Sequence, residues 1–90
     1  MDNKETYEAK KIRQLGERIK MYRKQAGYTS SEKFAYEKGF NRSQYGKYEV
    51  GTNMRFDSLL KVLQALDVSL EEFFSEGFDL EEQTNDDSKD

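Results

Sequence analysis

Arg42, Ser43, Gln44 and Lys47 bring four hydrogen-bonding side chains together within less than two helical turns. Arginine and lysine offer cationic donors suited to phosphate oxygens and to guanine, while a glutamine amide donates and accepts at once, as the edge of adenine requires. That is the chemistry of reading nucleic acid in a major groove rather than of breaking bonds. Covalent chemistry has little to draw on. The 90-residue chain has no histidine and no cysteine, so the commonest general base, the commonest metal ligand, disulfides and thiolate sites are all missing. Only carboxylates are left, and Glu71 and Glu72 are sequence neighbours that diverge on a helix instead of sharing a site. No catalytic set, metal or cofactor is expected.

For those donors to face outward, the helix that carries them must be held by its other side. Tyr45 and Tyr48, preceded by Phe40, give the inward stripe; Asn41 is a good N-cap, and the helix should run to about Val50 and end at Gly51. Before it, Phe34 and Ala35 close a shorter helix and Gly39 follows four residues later, which is the grammar of a helix-turn-helix. A small residue at 35 lets the second helix of the pair cross close over the first. The shorter helix begins near Thr29 to Ser31, with either Thr29, paired to Glu32, or Ser30 as its cap. Ser30, Ser31, Lys33, Asn41 and Arg55 can offer hydroxyl, amide or charge to phosphates near helix starts and loops, although capping is the more ordinary role for Ser30 and Asn41. Gly46, in mid-helix, either lets the backbone sit close to a base or is a tolerated surface glycine.

The remaining apolar residues keep the helical period. Ile12, Leu15, Ile19, Tyr22 and Ala26 mark a helix over roughly residues 8 to 26, stopped by Gly27. Phe56, Leu59, Leu60, Leu63 and Leu66 mark a fourth helix with Val62 and Ala65 on its flank; Ser69 and Glu72 then open a short fifth helix carrying Leu70, Phe73 and Phe74. No strand pattern occurs, so the fold is expected to be all-α with five helices, and Phe34, Phe40, Phe56, Phe73 and the leucines form the expected core. One domain is expected over residues 8–78. Residues 79–90 read as an acidic, disordered tail. The formal charge of −3 hides an uneven distribution: residues 76 to 90 carry seven acids against one lysine, and the rest of the chain is +3. No signal-like or membrane-length apolar run is visible, and a cytoplasmic location is expected.

The chain resembles the phage-repressor and Cro-like helix-turn-helix regulators, the XRE family, over roughly residues 12 to 74. The resemblance rests on Leu15-Gly16, Ile19, Arg23 and Gly27; on Phe34-Ala35, Gly39-Phe40, Tyr45, Tyr48-Glu49 and Gly51; and on Leu59, Leu63, Ala65-Leu66, Val68 and Leu70 followed by Glu72-Phe73-Phe74. It implies a lambda-repressor-like fold with the third helix in the major groove of double-stranded DNA. It also implies a structural ion pair from Arg23 to Glu49. Ser30 and Ser31 stand where family members usually place a glutamine, and the loop after Gly51 lacks the customary proline.

Phe73, Phe74 and Phe78 exceed what a short last helix needs for itself. Either they form a homodimer interface, as the resemblance suggests, or they pack beneath the first helix. The function implied is a sequence-specific transcriptional regulator that represses by occupying an operator. The alternative is an antitoxin, which binds a protein partner through the acidic tail and autoregulates its operon.

Overall fold

A computed structural model describes residues 5–78. The acidic stretch 79–90, expected above as a disordered tail, lies outside the described residues, and with it the surface on which the antitoxin alternative leaned. Five helices follow in order: α1 (Tyr7–Gln25), α2 (Ser31–Lys38), α3 (Arg42–Val50), α4 (Phe56–Leu66) and α5 (Leu70–Phe73), with no strand among the described residues. The fold is all-α, as the helical periodicity requires.

Side-chain caps set most of the starts. Thr6, Ser30, Asn41 and Ser69 each accept a hydrogen bond from the backbone N–H three residues on, at 2.9–3.1 Å. Each removes one of the orphan donors of a first helical turn. The choice between Thr29 and Ser30 therefore falls to Ser30. α1 ends through Gly27, whose φ of 98° is open to glycine; Tyr28 N–H then reaches back to the carbonyl of Arg23 and Gly27 N–H to that of Lys24. α4 stops less usually, on Asp67 at φ 61°, a left-handed conformation that aspartate tolerates better than most residues.

Ile19, Phe34, Ala35, Tyr45, Val62 and Phe73 are fully enclosed, with Tyr22, Tyr48, Leu59, Leu63, Leu66 and Phe78 close behind. Several sequence expectations need correction. Phe56 is 59% exposed, because it opens α4 where the inward stripe of Leu59, Val62, Leu63 and Leu66 has run beyond its packing partners. Val62, expected on the flank, lies at the centre of that stripe, whereas Leu60 and Leu70 are exposed. Phe40 is only partly buried against the core, and Ala26, expected on the α1 stripe, is exposed as the C-cap.

α1 and α3 approach so closely that their backbones touch. A Cβ placed on Gly16 would lie 2.6 Å from the carbonyl oxygen of Glu49 and 2.7 Å from that of Tyr48, and one on Gly51 would meet the backbone of Arg13 at 3.1 Å. Backbone, unlike a side-chain tip, cannot swing aside. Gly46 differs, since its Cβ would meet nothing within 4 Å. Gly16→Ala should therefore destabilise by about 1–3 kcal/mol through overpacking, whereas Gly46→Ala should stabilise by up to about 1 kcal/mol through helix propensity. Urea denaturation of the two variants beside the parent protein measures both.

Candidate nucleic-acid interface

α3 is anchored by its inward side. Tyr45 is fully buried, its ring 5.1 Å from that of Phe34, 5.8 Å from Phe40 and 6.1 Å from Tyr48. These aromatic contacts seat α3 on α2 across the Gly39 turn, where φ is 82°. Burial, and next the neighbouring Glu49 carboxylate, push the Tyr45 phenol well above its ordinary pKa. It stays a neutral hydroxyl.

A bidentate ion pair completes the anchor. Arg23 Nε and Nη2 donate to the two carboxylate oxygens of Glu49 at 2.9 and 2.8 Å, and Nη1 donates to the carbonyl of Tyr28 at 2.9 Å. Both side chains are at least nine-tenths buried. Hydrogen bonding to Glu49 holds the guanidinium pKa above its already high ordinary value. One arginine thus ties α1 to the loop before α2 and to the last turn of α3.

The outward side of α3 carries Arg42, Ser43, Gln44 and Lys47, all exposed. Ser43, Gln44 and Lys47 share a furrow of about 510 Å³ with Asn41, Thr52, Asn53, Arg55 and Ser58, between α3, the 51–55 loop and the first turn of α4. Its lining contains no carboxylate. Arg42 stands on the same exposed helix side without lining that furrow, and Ser30, Ser31 and Lys33 lie on the cap and first turn of α2, also outside it. The expected phosphate ligands therefore divide into two groups. Asn41 and Arg55 join the α3 donors, while the α2 residues stand apart; Ser30 and Asn41 both use their side-chain oxygens as caps.

Charge pairing separates structural cations from free ones. Arg13 bonds Glu5 and Glu17, Arg23 bonds Glu49, and Arg55 bonds Asp57 at 3.1 Å, a hydrogen bond that lowers the pKa of Asp57. Arg42 and Lys47 have no ion-pair partner among the described residues. Arg55 is paired only at the surface, its side chain 82% exposed, so the pair is readily exchanged for a phosphate.

A family model described as helix-turn-helix matches residues 19–73, well over half of the chain, with its ends on the buried Ile19 and Phe73. The chain belongs to the XRE helix-turn-helix family. Comparison with curated proteins and with solved structures found no match. As an XRE-family protein it is a DNA-binding regulator, and the family is not one of enzymes. No helix among the described residues is long and apolar enough to cross a membrane.

In this XRE-family chain, α2, the Gly39 turn and α3 make up the motif, and the geometry also corrects the aromatic trio at its far end. Phe73 is fully buried, so its ring belongs to the core of a single chain, and Phe78, 9% exposed, is packed against that core with one edge on the groove that Phe74 borders. Only Phe74, at 41%, remains open. It lines an apolar groove of about 460 Å³ with Tyr7, Ile12, Leu15, Leu59 and Phe78, and Lys11 completes the wall.

Sequence reasoning passed over Ser58, whose only signal was its place in the first turn of α4. It also passed over Arg18, a buried arginine that donates to the carbonyl oxygens of Phe73 and Glu72 at 2.8 and 3.1 Å. Nothing local distinguishes Arg18 from a solvated helix residue. Removing one member of the buried pair leaves the other charge stranded, so Glu49→Gln should cost about 3 kcal/mol or more. A urea midpoint for that variant equal to the parent's would show that the bridge does not hold α3 in place.

Proposed function

We propose that the chain is a sequence-specific transcriptional repressor that places α3 in the major groove of an operator and acts by occupying it, in the cytoplasm. The observation that carries this reading is the exposed side of α3, where Arg42, Ser43, Gln44 and Lys47 point away from a core anchored by Tyr45, Tyr48 and Glu49, and where both cations lack an acidic partner among the described residues. Arg42 or Lys47 matches guanine and Gln44 matches adenine. Asn41, Arg55 and the α2 residues Ser30, Ser31 and Lys33 hold phosphates on either side of the reading helix, fixing its register without carrying sequence information. Capping does not compete with this, since a hydroxyl or amide that accepts from the backbone still has donors to offer.

A homodimer suits the weak positive balance of the folded part, because two subunits double the contacts and set two third helices about 34 Å apart on a pseudo-palindromic site. Phe74 at the rim of the apolar groove supports this arrangement: a two-fold interface needs a projection and a recess on the same patch, and both are present there.

Selection of bound DNA from a random pool should enrich one motif, and Arg42→Ala and Gln44→Ala should each lose that preference with the helical circular dichroism unchanged. Enrichment by both variants of the parent's motif would sink the assignment of base readout. In sedimentation, the parent protein should run as a dimer, and Phe74→Asp as a folded monomer. A parent that stays monomeric at high concentration, with and without operator DNA, would rule the dimer out.

A further inference from the structure

A second furrow, of about 590 Å³, is lined by residues of the motif's turn, α3 and α4 and shares Asn41, Gln44, Tyr48 and Ser58 with the first. Its remaining polar lining is Lys38, Lys61 and Gln64. None of its ten lining residues is acidic, in a chain that holds 18 acids to 15 bases. Ser58, Lys61 and Gln64 recur every third residue of α4, so they form a polar row along one side of the helix, beside the buried stripe of Leu59, Val62, Leu63 and Leu66. Lys61 makes no ion pair among the described residues, although it lies close enough to Asp57, one turn earlier on α4 and already bonded to Arg55, to help lower that carboxylate's pKa. The Lys38 ammonium rests 5.9 Å from the centroid of the Tyr28 ring, an exposed cation–π contact from which it is easily drawn.

We propose that this second furrow seats backbone phosphates of the same DNA that α3 reads. Lys61 and Lys38 act as point charges, and Ser58 and Gln64 as neutral donors. The footprint then continues past the bases beneath α3 onto the flanking backbone, on a wall supplied by α4 and not by the helix-turn-helix alone. The argument for DNA backbone over a free anion is continuity: the two furrows share Asn41, Gln44, Tyr48 and Ser58, so a strand lying in one reaches the other without leaving a surface of donors. This inference rests on the DNA-reading assignment of α3 and adds to its contacts.

The test compares the parent with Lys38→Gln/Lys61→Gln, two exposed changes that leave the core untouched. Affinity for the selected site is measured over a salt series, and ethylation interference maps the contacted phosphates. Each phosphate contact contributes about −0.9 to the slope of log K against log salt, so the double variant should be shallower by about 2. It should lose interference at flanking phosphates and keep the parent's sequence preference. An unchanged slope and interference pattern beside normal parent binding would overturn the second furrow alone. A parent that enriches no motif and shows no salt-dependent affinity would overturn the reading on which it rests. Saturation of Lys61 shifts by inorganic phosphate, with the DNA slope unchanged in the variant, would assign the furrow to a free anion and overturn the proposal.

Discussion

The structure depends on how closely α1 and α3 approach. A nine-residue helix with a glycine near its middle is marginal by itself in water, and α3 has only Tyr45, Tyr48 and the partly buried neighbours of its motif to bury. Gly16 supplies what an ordinary side chain would forbid, direct contact between one helix and the carbonyls of Tyr48 and Glu49 on the other. Once the axes are that close, Arg23 can span them with its planar fork, and the same guanidinium can still reach the Tyr28 carbonyl. The outward side of α3 is then relieved of any packing duty. That is why Arg42, Ser43, Gln44 and Lys47 can all be exposed donors.

A buried ion pair is a poor source of net stability, since desolvating both charges costs about as much as their attraction returns. Its value here is directional. Two parallel N–H···O bonds fix the rotation of α3 about its own axis more sharply than tyrosine rings do, because rings slide and forks do not. A rotation of one residue would turn Lys47 or Gln44 by about 100° away from the groove-facing side. The bridge and the readout residues are therefore one device, although none of the readout residues touches Arg23 or Glu49.

Much of the fold could be read from the sequence because its signals are local. Asn41, Ser30 and Ser69 act within their own first turns, and Gly27, Gly39 and Gly51 act through their own φ angles, so caps and boundaries follow from residue type and spacing. What resisted reading depends on elements distant in the chain. Phe56 continues a helical stripe as well as Leu59 does, and only the absence of a covering neighbour leaves it exposed. Arg18 has the composition of a surface residue, and its burial is intelligible only once the carbonyls at the end of α5, more than fifty residues on, are seen to need a donor. The candidate site divides the same way: the donors of α3 follow from the inward tyrosines by helical phase, but the contribution of Ser58 and Lys61 requires knowing where α4 lies beside α3.

The net charge of −3 is a poor guide to partners because it counts cations that are already engaged. Arg13, Arg23 and Arg55 sit on carboxylates, so three of the five arginines contribute little field beyond their own neighbourhoods. Lys47 and Lys61 are different, since each lines a furrow that contains no acid, and Arg42 stands exposed on α3 with no ion-pair partner among the described residues. At physiological ionic strength a charge is felt over about 8 Å, so a polyanion responds to this local set and not to the sum over the molecule. Inside, Arg18 and Arg23 use the planar fork for fixed carbonyl-bonding and bidentate roles, while the exposed Lys38, Lys47 and Lys61 are flexible point charges suited to meeting a phosphate rather than holding it in advance.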